Sequence, residues 1–158
     1  MCGIAGRIFL DLPKADLHHQ VALMNQIQIH RGPDDEGIFV DERAGVALGH
    51  RRLSIIGLET GHQPMLGTDG SILVFNGEIY NYIEILESLG EDTGEGASDT
   101  TALLLAYQKW GEDCVDHLRG MFAFAIWNPA KQQLFCARDR FGIKPFHYLR
   151  GPNGEFTF

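Results

Sequence analysis

Cys2 is the residue of this chain with the clearest chemical potential. A methionine followed by a small residue is commonly trimmed, and loss of Met1 would leave a thiol and a free α-amine on one residue. The thiolate is the reactive form of cysteine, and an α-amine with a pKa near ~7.7–8.0 exchanges protons at neutral pH. Cys2 would then be a nucleophile that carries its own base. The alternative is a small buried apolar residue near the chain terminus.

Apolar periodicity predicts the elements that must position such a residue, beginning with a helix. This helix is expected from Asp16, a candidate N-cap, to about Ile29, and residues 32–33 (GP) stop it. Its apolar face is predicted to hold Leu17, Val21, Met24 and Ile27. Residues 38–53 are predicted to form two short strands around a turn at 41–45.

The apolar run at 72–75 (ILVF) predicts a buried strand that ends at Asn76-Gly77-Glu78. Taken alone, Asn76-Gly77 is typical of a type I′ hairpin turn. Helices are predicted over 82–89, 99–110 and 114–118, with Gly111 closing the second. Residues 122–127 and 133–138 are expected to form a hairpin about Asn128-Pro129. The alternating end at 156–158 indicates a strand, and we expect the chain to be part of something longer.

Charge and cysteine content exclude several classes of function. Thirteen Lys and Arg against 21 Asp and Glu give a formal charge of −8, which argues against an electrostatic binder of nucleic acid or anionic membranes. No apolar run approaches the ~18 residues of a membrane span, and residues 1–7 lack the basic region and apolar core that are typical of a signal peptide. Three cysteines without a C-x-x-C pair disfavour a disulfide scaffold and favour a reducing, cytoplasmic location. Seven histidines show no ligand spacing, so no metal site is expected. Cys114 and Cys136 are expected to be inert core residues.

Seven segments in fixed order resemble the class II glutamine amidotransferase domain. They are 2–6 (CGIAG), 30–34 (HRGPD), 49–55 (GHRRLSI), 76–81 (NGEIYN), 98–100 (SDT), 120–125 (GMFAFA) and 138–145 (RDRFGIKP). The segments span essentially the whole chain, and their likeness is closest to the N-terminal glutaminase domain of glutamine-hydrolysing asparagine synthetases. The resemblance implies an α+β fold of four αββα layers, the N-terminal nucleophile hydrolase sandwich, with mostly antiparallel sheets. One domain of this type would occupy 1–158 and be truncated at its C-terminal end.

The resemblance also implies roles for the residues that react. Cys2, after loss of Met1, looks like the nucleophile that attacks the glutamine side-chain amide. The side-chain amide of Asn76 and the backbone N–H of Gly77 look like the donors to the tetrahedral oxyanion. Placing such donors just after a buried strand would suit their task, because a strand end is rigid and glycine allows close approach.

Other matched residues would hold the two charged ends of free glutamine. Arg52 resembles the arginine that clamps the α-carboxylate, and the backbone from Leu53 to Ile55 would line the same pocket. Strand alternation sends Arg51 to the opposite face, as a solvated or structural neighbour. Asp99 resembles the acid that pairs with the α-ammonium, and Glu78 resembles a second acidic contact. The alternatives are a helix N-cap for Asp99 and a surface carboxylate for Glu78.

The function implied is hydrolysis of glutamine to glutamate and ammonia through a thioester on Cys2. The glutaminase half needs no cofactor, whereas ATP and magnesium would belong to a synthetase domain that this chain lacks. The chain has neither a Ser-Gly-Gly-x-Asp-Ser loop nor a G-x-x-x-x-G-K-[ST] loop, and Thr101 stands where family members often carry an acid. Expected partners are L-glutamine, a synthetase domain of a longer parent chain and a second copy in a homodimer. Two alternatives stay open: a glutaminase serving another acceptor, and a non-catalytic module that keeps the fold.

Overall fold

The computed structural model describes residues 2–9, 15–53, 61–94 and 96–158. The elements are, in chain order, β1 (Gly3–Ile8), α1 (Ala15–Ile27), β2 (Asp35–Asp41), β3 (Val46–Arg52), β4 (Met65–Leu66), β5 (Ile72–Ile79), α2 (Tyr82–Leu89), α3 (Asp99–Trp110), a 3₁₀ turn (Gly111–Asp113), α4 (Cys114–His117), β6 (Gly120–Asn128), β7 (Gln133–Arg138), β8 (Leu149–Arg150) and β9 (Phe156–Thr157). None of the helices in these described stretches is long and apolar enough to cross a membrane.

The described strands form two antiparallel sheets. The first has the order β2-β3-β1-β9-β8, and the second has the order β4-β5-β6-β7. β1 and β3 of the first sheet pack against β5 of the second. Val46 and Leu48 on β3 meet Val74 on β5 and Trp127 on β6 in the apolar layer between the sheets. Each fully buried aliphatic side chain of this kind contributes roughly 1.5–3 kcal/mol to folding.

Helices cover the outer face of each sheet. Leu17 and Val21 of α1 pack against Ala47 on the first sheet, and α2 and α3 cover the second sheet, where Leu103 of α3 lies in the same cluster as Phe124 of β6. The layers are therefore helix, sheet, sheet and helix. The predicted four-layer αββα sandwich of antiparallel sheets is confirmed.

The predicted helix over 16–29 differs from α1 at both ends. α1 begins at Ala15, so Asp16 lies in its first turn and does not cap it. Ile27 is 74% exposed and does not belong to the apolar face. Gln28, one helical turn beyond Met24, occupies that face instead, and its Nε2 donates to the carbonyl of Ile4. Because one helical turn takes 3.6 residues, position 28 and not position 27 lies over the sheet one turn after Met24.

On the other side, α2 and α3 have the predicted bounds, whereas α4 ends at His117, one residue before the predicted end. Gly90 caps the C-terminus of α2, where it adopts a left-handed conformation and donates its N–H to the carbonyl of Glu87. α3 is capped by Ser98, whose hydroxyl accepts from the N–H of Thr101 at 3.1 Å. The cap is therefore Ser98, and the N-cap alternative for Asp99 is wrong.

Candidate active site

Cys2 and Arg52 lie at one end of the first sheet. The register of the β1–β3 pair places Cys2, the residue before β1, opposite Arg52 at the end of β3. Ile4 and Leu48 belong to the cluster between the sheets. Because strand side chains alternate with a period of two, Cys2 and Arg52 share the face of Ile4 and Leu48. Both side chains therefore enter the gap between the sheets.

β5 supplies the opposite wall. The prediction that this strand ends at Asn76-Gly77-Glu78 is wrong, since β5 runs through these three residues to Ile79. All of these residues pair with β6, and Asn76 lies opposite Ala123. The hairpin-turn alternative is also wrong, because this pairing leaves no turn at Asn76-Gly77. Val74 faces the first sheet, so the period of two directs Asn76 towards the same gap.

A cavity of about 570 Å³ opens where these walls meet the N-terminus of α3. Every predicted site residue that the structure describes lines it. They are Cys2, Arg52, Leu53, Asn76, Gly77, Glu78 and Asp99. The remaining predicted residue, Ile55, lies outside the described residues. The volume falls within the ~300–1,000 Å³ of small-molecule sites.

The backbone of Gly77 points at this cavity. Phe122, its register partner on β6, exchanges both of its backbone hydrogen bonds with Asp139 on the far side. Gly77 and Phe122 are thus a non-hydrogen-bonded pair, and the N–H and C=O of Gly77 point away from β6. Ile79, two residues on, directs its own N–H to Asp99 Oδ2 at 3.2 Å. The Gly77 N–H lies on this same edge of β5, beside the cavity.

Glycine at position 77 is required by the neighbouring strand. A Cβ there would overlap the carbonyl oxygen of Met121 and lie 2.7 Å from Phe122 Cα and from Phe75 Cε2. The expected reason for this glycine was close approach of a ligand, whereas the structure shows close approach of β6. An alanine at this position would have to displace β5 from β6.

Asp99 and Glu78 form the acidic side of the cavity. The Asp99 carboxylate accepts from Ile79 N–H and from the Thr100 hydroxyl, the latter at 3.4 Å. Burial is the main cause that raises the pKa of Asp99, and the charge of Glu78 adds to it. Glu78 itself is exposed at the rim. A cation placed between these carboxylates would relieve the unfavourable burial of the Asp99 charge.

Arg52 is the basic counterpart and is only 8% exposed. Its guanidinium packs so closely against Gly61 that a Cβ there would overlap Nη2. Arg51 points the other way, donating from Nε to the carbonyl of Gly32 at 2.8 Å and from Nη1 to Glu36 at 2.6 Å. The prediction that the two arginines face opposite sides is confirmed, and Arg51 is a structural residue.

Sequence reasoning missed Lys144, which is 7% exposed and lines the cavity. The turn that presents it is organised by Asp139, whose carboxylate accepts the backbone N–H groups of Phe122, Phe141, Ile143 and Lys144. Burial acts to raise the pKa of Asp139, but these four donors hold it below its usual value. Asp139 therefore has a structural role in this turn. The 138–145 motif was a signal that this turn reaches the site.

A second cavity of about 280 Å³ shares Cys2 and Asn76 with the first. Its other walls come from the β1 start, from Gln28 and Arg31, and from the C-terminal residues 145–147 and 158. Arg31 Nη2 donates to the carbonyl of Cys2 at 3.4 Å. The Cys2 side chain therefore borders two spaces.

The other cysteines differ from Cys2 in environment. Burial raises the pKa of both Cys114 and Cys136 to about 12, so both stay protonated at neutral pH. Neither cysteine lines the two cavities around Cys2. Within the described ranges, no group of three or more His, Cys, Asp or Glu side chains is arranged to hold a metal ion.

Comparison with known proteins decides the family. A sequence model described as a glutamine amidotransferase domain matches residues 1–158. The chain belongs to the glutamine amidotransferase family. An asparagine synthetase [glutamine-hydrolyzing] 1 of Bacillus subtilis is 47% identical to this amidotransferase domain over 154 residues, and the match covers 94% of the chain and 24% of that relative. An amidase named chry2 from Gibberella zeae is 43% identical over 122 residues, which cover 75% of the chain and 18% of that protein.

A solved structure supports the fold of the amidotransferase domain. A glutamine phosphoribosylpyrophosphate amidotransferase from B. subtilis superposes with a TM-score of 0.72 at 18% identity, covering 99% of this chain and 41% of that one. At this identity the likeness concerns the N-terminal nucleophile hydrolase fold alone. The chain spans about a third or less of the length of the curated relatives.

Proposed function

We propose that this amidotransferase domain hydrolyses the side-chain amide of glutamine with Cys2 as nucleophile. The observation that carries the proposal is the single cavity lined by Cys2, Asn76, Gly77, Arg52 and Asp99. These residues come from the start of β1, where Cys2 precedes the strand, and from β3, β5 and α3, far apart in the chain. Their convergence supplies a nucleophile, oxyanion donors and opposite charges for an amino acid.

The reaction starts once Met1 is removed. The free α-amine of Cys2 takes the thiol proton, and the thiolate adds to the amide carbon of glutamine. Asn76 and the Gly77 N–H donate to the oxyanion that develops on the amide oxygen. Collapse expels ammonia, which takes the proton back from the Cys2 ammonium, and leaves a γ-glutamyl thioester. Water then adds to the thioester, with the α-amine accepting its proton, and glutamate leaves as the thiol re-forms.

The ends of glutamine that do not react are held by charge. Arg52 pairs with the α-carboxylate, and Leu53 lines that end of the pocket. Asp99 and Glu78 pair with the α-ammonium. The raised pKa of Asp99 supports this assignment, because the buried carboxylate gains most when a cation arrives.

Ammonia from this site would supply an acceptor-activating domain of the asparagine synthetase type, and the relatives named asparagine synthetase support this partner. ATP and magnesium would bind to that domain, not to the cavity described here. The proposal includes a cytoplasmic location and a homodimer. An acceptor other than aspartate is the second candidate, because one relative that matches 75% of this chain is named an amidase and not an asparagine synthetase.

The test combines mass spectrometry of the N-terminus with a glutaminase assay. The purified protein should lack Met1 and release glutamate and ammonia in equal amounts from glutamine. Cys2→Ala should abolish the release, while Cys136→Ala, the matched control, should leave it unchanged. A Cys2→Ala variant with the parent rate would refute the proposal, and so would full activity with Met1 retained.

A further inference from the structure

Among the strands that the structure describes, only β4 lies along the edge of β5 beside the cavity, and it covers a short part of that edge. β4 pairs only with Ile72 and Leu73, so the backbone groups of β5 that point away from β6 need other partners beyond that point. Side chains provide them on both sides of Gly77. Phe75 N–H donates to Gln63 Oε1 at 2.6 Å, and Ile79 N–H donates to Asp99 Oδ2 at 3.2 Å.

The carbonyl of Phe75 has its own partner on the opposite sheet. His50 Nε2 lies 3.2 Å from this oxygen, and the side chain is 1% exposed. Burial lowers the pKa of His50 to about 4, so the ring is neutral at physiological pH. Since the carbonyl only accepts, the neutral ring must carry its proton on Nε2.

Both partners of Phe75 are anchored to the first sheet. His50 is part of β3, which also carries Arg52. Gln63 is 5% exposed. Its backbone contacts β2 so closely that a Cβ on Gly37 would overlap the carbonyl oxygen of Gln63. The two hydrogen bonds to Phe75 therefore tie β5 of the second sheet to the sheet that carries the nucleophile.

We propose that Gln63 and His50 are positioning residues that set the oxyanion donors of β5 at reacting distance from Cys2. The inference rests on the proposed function of Asn76 and Gly77. The hydrogen bonds from Gln63 and His50, called the ties below, are both made to Phe75, the residue before Asn76. Each of them limits how far β5 can slide or tilt relative to β1. Misplacement of a reacting group by about 1 Å costs roughly 100-fold in rate.

Two variants remove the ties with little change in volume. Gln63→Met deletes the acceptor for Phe75 N–H, and His50→Met deletes the donor to the Phe75 carbonyl. Each should lower kcat of glutamine hydrolysis roughly 10-fold to 100-fold with KM within about twofold, since the glutamine ends are held elsewhere. His50→Gln can still donate to the carbonyl and should recover most of the lost kcat.

Asn128→Met is the matched control for loss of a buried amide. Asn128 Oδ1 accepts the N–H of Lys131 at 3.0 Å, and Asn128 lies at the end of β6 far from Gly77. This variant should lower the melting temperature and leave kcat unchanged. Circular dichroism at the assay temperature identifies folded variants, and either Met variant alone carries the test if the other does not fold.

The amide resonance of Gly77 gives a second readout that loss of stability alone would not move. Its chemical shift should change in Gln63→Met and His50→Met and stay constant in Asn128→Met. The inference is overturned if the folded Met variants keep kcat within twofold of the parent while Asn76→Ala loses activity. If Asn76→Ala also keeps full activity, the proposed function of the donors fails, and the inference falls with it.

Discussion

Asp99→Asn should weaken glutamine binding and strengthen the fold in the same protein. The asparagine keeps the size of the side chain and an oxygen that can accept from Ile79 N–H, which the Asp99 carboxylate does at 3.2 Å. Only the charge is lost. Because burial, assisted by Glu78, raises the pKa of Asp99, that charge is costly in the free protein and useful when an ammonium binds.

The expected loss of binding follows from the proposed contact. A hydrogen bond to a charged group is worth about 1.5–3 kcal/mol, which corresponds to a KM roughly 10-fold to 150-fold higher. The value of kcat should change little, since the ammonium keeps its charge throughout the reaction. In the parent, KM should also rise as the pH falls through the raised pKa of Asp99. Asp99→Asn should lack this acid limb.

The effect on stability has the opposite sign. A carboxyl whose pKa is raised by folding contributes stability below its unfolded pKa of ~3.9, and this contribution is lost as the pH rises through the folded pKa. Asp99→Asn should therefore raise the melting temperature at pH 7, and the gain should shrink towards pH 4. Thermal melts across this range measure it.

Asp69→Asn is a control whose expected effects on KM and on the melting temperature both differ from those of Asp99→Asn. Burial acts to raise the pKa of Asp69, but hydrogen bonds from Ser71 and Gln108 hold it below its usual value. Its stabilising contribution is present above the unfolded pKa and lost in acid, so Asp69→Asn should lower the melting temperature at pH 7 and leave KM unchanged. An Asp99→Asn variant with parental KM, or with a lower melting temperature at pH 7, would refute the reasoning on Asp99.

Three further outcomes are expected from the same site. Asn76→Ala should lower kcat about 10²–10³-fold with a small change in KM, because its amide bonds most strongly to the oxyanion; steady-state kinetics in which only KM moves would contradict this role. Arg52→Met should chiefly raise KM, and glutamine titrations that show unaltered KM would remove Arg52 from the carboxylate site. A diazo-ketone analogue of glutamine at pH 7.5 should label Cys2 alone, because thiols with a pKa of about 12, as in Cys114 and Cys136, are less than about 10⁻⁴ thiolate there. Label on either of the latter by peptide mass spectrometry would indicate another nucleophile.

Local sequence patterns were sufficient to predict those helices and strands in which buried residues recur with the period of the element. α2 and α3 were predicted with their observed bounds, because apolar residues recur at helical spacing and glycines follow each helix. The hairpin of β6 and β7 was predicted for the same kind of reason, from alternation around a turn. β1 was missed because its glycines and small residues carry little alternation, although Gly3 to Ile8 pair along their length with β3.

The candidate site was likewise predicted in part from local sequence and decided in part by tertiary structure. Sequence motifs singled out Cys2, Arg52, Asn76 and Asp99 as candidates, and the structure brings all four to one cavity. That β5 continues through Asn76 was decided only by tertiary structure, since β6 offers partners as far as Gly120. The length of a strand depends on its neighbour, and that neighbour lies more than 40 residues away in the chain.

The ties formed by Gln63 and His50 could be found only in the folded protein. Both side chains hydrogen-bond to the backbone of Phe75. Because every residue except proline has the same backbone N–H and C=O, the residue type at position 75 does not indicate these bonds. Lys144 reaches the cavity because Asp139 gathers four N–H groups into one turn, a set that no spacing rule predicts. The sequence alone supplied the candidate groups, which are a thiol, a side-chain amide and side chains of opposite charge. Their distances and orientations depend on two sheets meeting face to face, which is a property of long-range packing.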